Sequence, residues 1–419
     1  MRKGLITVLV IAMILLTLSS CGGKNEEDIV YDSLESEKGN KLSIMIPGHN
    51  PNDENQWQNI VIEEFKQEYP DVEVEFVVAG WDGWMTRVLS SISANDPIDV
   101  INDGANNNPM FAMRGITQPL NDYIDLENPN LHINTMDEVF KYNDKYYVAA
   151  TETNVCVIFY NKTMFQNAGI ADPMELYEKG EWTFDTFIEV AKQLTDTSGE
   201  KKQWGFATNY PYIFLGSNQT SILKLDDNFK YELNINDPAV RRVLEMVGDG
   251  WHNSGWYGWE GDPWSTFYKG EAAMLGDFQN IDIQMIKARD YGLVDFEYGA
   301  APMPIGPDNK DNVSPITTAG WSMGNGCDTP NHSGKLIDML VNGQAAEIAR
   351  QQEILNPAHL ALYKELAQRP YCVNSYDSAV GGAFEIFQDV VAGVGVTQAI
   401  AEYTPVYQRM IDEANSAYE

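Results

Sequence analysis

The pentapeptide Gly80-Trp81-Asp82-Gly83-Trp84 sets one carboxylate between two indoles. An indole is flat and rigid, so it covers an apolar ring face at small entropic cost, while a carboxylate or amide bonds hydroxyl edges. A sugar ring presents both surfaces, C–H faces and a hydroxyl rim. The same residue types recur along the chain. Trp256 and Trp259 lie in the Gly-rich aromatic stretch from Trp251 to Trp264, and Trp321 follows Gly320. Asp103 and Asp277 each close an apolar run, and Glu152 and Asn154 stand in a polar break between two apolar runs. Together these are the candidate ligand contacts. Core packing is the alternative for each tryptophan, and bonding of local backbone is the alternative for Glu152 and Asn154.

Catalytic signatures are missing. The chain has no HExxH, GxSxG or GxxxxGK[ST], and Gly393-Val394-Gly395 lacks the third glycine of a dinucleotide turn and follows no strand. Its five His show no metal-ligand spacing. The clusters at Asp226-Asp227-Asn228 and from Asp308 to Asn312 do not match a calcium-binding EF-hand loop. No metal site is expected. Carboxylates for glycoside hydrolysis need only be close in space, so a surface glycosidase or lyase stays as the alternative.

The elements that must position these residues alternate. Lys41 to Ile46 reads as a strand, Trp57 to Tyr69 as a helix, Val72 to Phe76 as a strand, Met85 to Ser93 as a helix and Ile98 to Ile101 as a strand. This alternation argues for an α/β fold with a mainly parallel sheet. Ligands of such sheets bind at the carboxyl ends of strands. Those ends are Gly48-His49-Asn50, Gly80 to Trp84 and Asn102-Asp103-Gly104. Further on, Tyr146 to Ala150 and Val155 to Tyr160 read as strands separated by Thr151 to Asn154. They are read as one chain crossing between two globules rather than as a hairpin.

A chain of 419 residues is long enough for two domains. Apolar content of 44% and charged content of 21% are ordinary for a protein with a sizeable core. The formal charge of −33 repels nucleic acid and anionic lipid, so no nucleic-acid partner is expected. At the start, Arg2 and Lys3 precede an apolar run from Leu5 to Leu18, too short for a membrane span and suited to a signal peptide over residues 1–20. The run ends in Leu18-Ser19-Ser20-Cys21-Gly22, which resembles a bacterial lipobox with Cys21 as the lipidated residue. Residues 21–40 are polar and read as a disordered tether. Cys156, Cys327 and Cys372 remain. Three thiols cannot all pair, Cys156 sits in an apolar run, and free thiols are favoured over a Cys327–Cys372 bridge.

A family resemblance spans Lys41 to the end. Lys145-Tyr146-Tyr147-Val148, Tyr160-Asn161-Lys162, Phe165, Ala168-Gly169 and then Trp182-Thr183-Phe184-Asp185-Thr186-Phe187 follow the order found in extracellular solute-binding proteins of the maltose-binding-like type. One departure is Ala149 or Ala150 where that family has proline. The segment Phe267 to Asp277 and the runs Tyr298 to Pro304 and Gly320 to Gly324 also resemble it. The resemblance implies a two-lobe type II periplasmic-binding-protein-like fold, with lobe 1 over 41–150 plus 278–345 and lobe 2 over 151–277 plus 346–419. Crossings would fall near Thr151–Asn154, Asp277–Ile281 and Asn342–Ile348. It further implies a monomeric, lipid-anchored receptor that hands a carbohydrate to an ABC permease, with no turnover chemistry and no cofactor. A non-sugar solute on the same fold is the remaining alternative.

Overall fold

The computed structural model describes residues 37, 39–81, 83–226, 228–372, 377–380 and 384–416. The leader, Cys21 and Asp82 lie outside the described residues. Glu37 already belongs to the folded body. Its carboxylate accepts the backbone N–H of Asn331 at 2.6 Å and of His332 at 3.1 Å, and it also bonds His332 Nδ1. The tether expected through residue 40 therefore ends earlier, because this acid finds orphan N–H groups at a helix start.

β1 (Lys41–Met45), α1 (Trp57–Glu68), β2 (Glu73–Phe76), α2 (Trp84–Ser93) and β3 (Val100–Gly104) form the expected alternation. β1 pairs in parallel with both β2 and β3. α1 buries Val61, Ile62 and Phe65 against this sheet.

The polar break between the two later apolar runs does not end a strand. β4 is a single strand from Val148 to Asn161. Thr153 and Asn154 stay in the ladder opposite Thr318 and Thr317. Ala149, Ala150 and Val155 to Phe159 are fully buried, as a strand covered on both faces requires.

Beyond β4 the chain forms α3 (Phe184–Gln193), capped by Thr183, and α4 (Pro238–Gly248), capped by Asp237. Then come α5 (Pro263–Tyr268), β5 (Met274–Phe278), α6 (Ile281–Asp290), β6 (Tyr298–Pro302) and β7 (Ser314–Gly324). α7 (Pro330–Gln352), α8 (Pro357–Leu366), β8 (Pro370–Cys372), α9 (Phe384–Val391) and α10 (Val396–Ser416) complete it. All strands longer than three residues join one sheet in the order β5-β4-β7-β3-β1-β2, with β6 also on β4. The parallel ladders are confined to β2-β1-β3 and β7-β8, while the other long strands run antiparallel.

Strand pairing moves two of the expected crossings. β5 and β6 both pair with the 156–161 half of β4. The chain from 278 to 302 therefore stays with the second lobe, and the return to the first runs along β7, which pairs with β4 and then β3. The polar Gln279-Asn280 that follows β5 leads into α6 and not across. The third crossing was expected at Asn342–Ile348, between two helices. Those residues lie within α7, which is continuous.

Two expected cleft tryptophans are core. Trp321 is 1% exposed and meets Trp57 edge-on at 6.2 Å under α1 and α7. Trp256 is equally buried, packed on Phe187 at 5.4 Å, with Phe206 and Phe214 completing the cluster. Among the described residues Cys156, Cys327 and Cys372 form no disulfide with one another.

One buried acid ties α8 to α6 and β6. Asp282 of α6, fully buried, accepts from His359 Nδ1 at 2.8 Å, Tyr363 Oη at 2.7 Å and Tyr298 Oη at 2.6 Å. Burial pushes its carboxyl up, but these bonds and the imidazole outweigh it and hold the value below 3.8. Its stabilising contribution is present above that value and is lost as the pH falls through the lowered one. Asp282→Ala leaves three donors without their acceptor and should cost about 3–5 kcal/mol in urea unfolding at pH 7. Trp321→Ala should cost a similar ~3–5 kcal/mol. A loss below about 1 kcal/mol for either would contradict the packing described.

Candidate functional site

β1, β2 and β3 run parallel, so their carboxyl ends share one edge and build a ledge there. After β1 the chain turns through Gly48, whose φ of +69° suits glycine. The Trp81 indole lies against it. A Cβ at Gly48 would stand 2.6 Å from Trp81 Nε1, so only glycine admits the ring. Trp81 is 71% exposed, an unusual position for an indole without a partner. Trp84, half-buried at the start of α2, meets Phe111 edge-on at 6.3 Å.

At the end of β3, Asp103 is 1% exposed. Its carboxylate accepts from Asn107 Nδ2 at 2.6 Å and Asn108 Nδ2 at 3.3 Å. Burial raises its carboxyl to about 6 against those bonds. Asp103 thus sits behind the ledge and orients an Asn106-Asn107-Asn108 turn. It does not face solvent itself.

The second lobe supplies an aromatic wall. Tyr210 stands 5.1 Å from Phe278, 6.5 Å from Trp264 and 5.9 Å from Tyr212, and Tyr212 is 6.0 Å from Phe384. All five rings are partly exposed. The backbone beneath is fixed by Thr208, whose hydroxyl donates to the Gly276 carbonyl at 2.7 Å and whose carbonyl accepts from Tyr257 Oη at 3.1 Å. Asp277 is fully buried below the wall.

Ledge and wall are linked through one loop contact and through the core. The turn at 105–107 packs against 377–380, and Phe384 follows that segment to reach Tyr212. Trp84 and Met85 on one side, and Tyr210, Tyr212 and Phe278 on the other, pack on one continuous buried cluster. Elsewhere the halves also touch, with Phe229, at a φ of +60° in the 225–231 turn, edge-on to Tyr142 at 5.1 Å.

Glu152 and Asn154 belong to neither ledge nor wall. Glu152 bonds the Asn154 amide and accepts from Gln344 Nε2 of α7 at 3.1 Å. Thr151 bonds the same glutamine. Both candidates line a cavity of about 530 Å³ with His132, Gln279, Gln351 and Lys364. Their polar groups are committed to holding the crossing strand to α7. Trp259 stacks into a separate group with Trp251 at 4.6 Å and Tyr257 at 5.6 Å.

Of the sequence candidates, Trp81 and Trp84 stand at the ledge, Asp103 and Asp277 lie behind the two walls, and Trp256 and Trp321 are core. Tyr210, Tyr212, Trp264, Phe278 and Phe384 were missed. A signal for the first two existed: Tyr210-Pro211-Tyr212 closes the run Trp204 to Ala207, which is a strand end like the others.

The chain is similar to known proteins along most of its length. Over 247 residues it is 24% identical to the diacetylchitobiose binding protein DasA of Streptomyces coelicolor, which covers 58% of this chain and 55% of that relative's own length. In fold it is similar to the maltose/maltodextrin-binding domain MalE of Bdellovibrio bacteriovorus bound to maltotriose, with a TM-score of 0.66, 18% identity, and coverage of 89% of this chain and 99% of that one. It is similar too to UgpB of Mycobacterium tuberculosis in complex with glycerophosphocholine, at a TM-score of 0.68, 18% identity, and coverage of 90% and 99%. Residues 50–346 match the bacterial extracellular solute-binding proteins, a family of receptors and not of enzymes, and the chain belongs to that family.

Proposed function

We propose that the protein is the carbohydrate receptor of an ABC importer. In this reading Cys21 carries a lipid that holds it, as a monomer, at the outer face of the cell membrane. A sugar or oligosaccharide enters between the lobes, which close on it, and the loaded protein delivers it to the permease. The observation that carries the reading is the wall of partly exposed rings at Tyr210, Trp264 and Phe278, together with the exposed Trp81 indole and the partly exposed Asn106 at the strand ends of the first lobe. Partly exposed rings stack on C–H faces, and amides bond hydroxyls in either direction. The names of DasA and of the MalE domain, both sugar binders, support the ligand class.

The crossing strands β4 and β7 supply a hinge with two connections already paired to one another. Closure then needs small dihedral changes near Thr151 to Asn154 and Thr317 to Ala319, while each lobe's core stays intact. A ligand that favours the closed form shifts the population toward it.

Thermal shift with diacetylchitobiose, maltotriose and glycerophosphocholine tests the ligand class. A sugar at a hundredfold excess over its Kd stabilises by about 2.7 kcal/mol, a rise of a few degrees. Stabilisation by glycerophosphocholine alone would contradict the sugar reading, and product formation from an oligosaccharide would contradict a receptor. With the sugar that binds, Trp81→Ala should weaken affinity about tenfold, as a lost stacking contact of roughly 1.4 kcal/mol. Its melting temperature should stay within about 1 °C, since an exposed side chain contributes little to stability. Equal loss of both would place the indole in the core.

A further inference from the structure

Asp277 is the penultimate residue of β5 and is fully buried. Its Oδ2 accepts the indole Nε1–H of Trp264 at 2.6 Å, and its Oδ1 accepts the backbone N–H of Phe278 at 2.7 Å. Both carboxylate oxygens are thus engaged by the two residues that, with Tyr210, make the aromatic wall. The groups facing it from neighbouring elements are Tyr210, Tyr268 of α5 and Cys156 of β4. Burial holds all three protonated at neutral pH, with both tyrosines pushed up to about 12. Among the described residues no lysine, arginine or histidine forms an ion pair with it.

A buried carboxylate without a cation costs stability. What the acid provides is a strong, directional acceptor. An indole has one N–H, so the direction of that bond fixes the ring plane. Trp264 is partly exposed on a short helix, and among the described residues Asp277 is the partner of its indole N–H.

We infer that Asp277 is a positioning residue of the cleft: its buried carboxylate fixes the Trp264 indole plane, and with it the surface on which a sugar ring stacks. The ligand class rests on the function proposed above, while the lock between Asp277 and Trp264 rests on geometry alone. Burial raises the Asp277 carboxyl to about 6 against its hydrogen bonds. Protonation weakens the lock, so affinity is full above about pH 7 and falls as the pH drops through 6. Stability moves the other way. The folded-state value lies above the ordinary 3.8, so the neutral form favours the folded state, and this group's contribution rises as the pH falls from 7 toward 4. A merely structural acid would move both together.

The test uses the purified protein labelled with ¹⁵N-tryptophan. The Trp264 indole N–H signal is assigned by its loss in Trp264→Phe and followed from pH 8 to pH 5. It should shift with a midpoint near 6 in the parent and should not titrate in Asp277→Asn. At pH 7.5 that variant should bind maltotriose, or whichever tested sugar binds the parent, about ten- to a hundredfold more weakly. Its melting temperature should be equal or higher. A Trp264 signal that stays fixed across the pH range would overturn the inference, as would Asp277→Asn losing melting temperature in step with affinity. If no sugar binds the parent, the carbohydrate reading fails by itself and the indole titration alone decides the lock.

Discussion

Strand β4 belongs to both halves of the molecule, and much of the rest is arranged by that fact. Its first half pairs with β7 and through it with β3, while its second half pairs with β5 and β6. A strand buried on both faces along this length cannot slip by one residue without turning core side chains to the wrong face. The register of β4 therefore fixes where β5 ends, which places Asp277 and Phe278. It also fixes β7 against β3, and so the ledge at Asp103. Two walls built from distant stretches of sequence are thus held in register to one strand.

The two walls share a further logic. Each places a buried aspartate near a strand end, where it holds neighbouring side chains; the asparagines held by Asp103 are buried with it, while the indole held by Asp277 is partly exposed. Asp103 holds two asparagine amides, and Asp277 holds an indole. Both carboxyls are raised to about 6 by burial. Preorganisation of this kind lowers the ordering cost of binding at the expense of stability. The Asp282 cluster is the contrast. There the acid gains three donors, including an imidazole, and its value falls.

Much of this was legible in the sequence. The α/β alternation from Lys41 to Gly104 is written in apolar spacing, and the strand-end rule placed Trp81, Trp84 and Asp103 near the ledge. Long-range pairing was not legible. Nothing local in Gln279-Asn280 says whether the chain crosses or turns into α6, and only the ladder from β6 to β4 decides it. Aromatic residues in glycine-rich stretches misled in the same way. Trp256 and Trp321 look exposed by their neighbours, yet Gly250 lets the Trp256 ring lie against its backbone and Trp321 packs on Trp57 in the core. Trp264, in the same glycine-rich stretch as Trp256, lies at the wall instead. Burial of a ring depends on which element covers it, and that is a property of topology.

The account centres on where a ligand rests. A crystal structure of the protein soaked with the sugar that stabilises it most would test this directly. The account predicts electron density for a ring stacked on Tyr210, Trp264 or Phe278, with hydroxyls reaching toward Trp81 and Asn106. Density instead in the cavity beside Glu152, Gln279 and Lys364, with the aromatic wall bare, would contradict it.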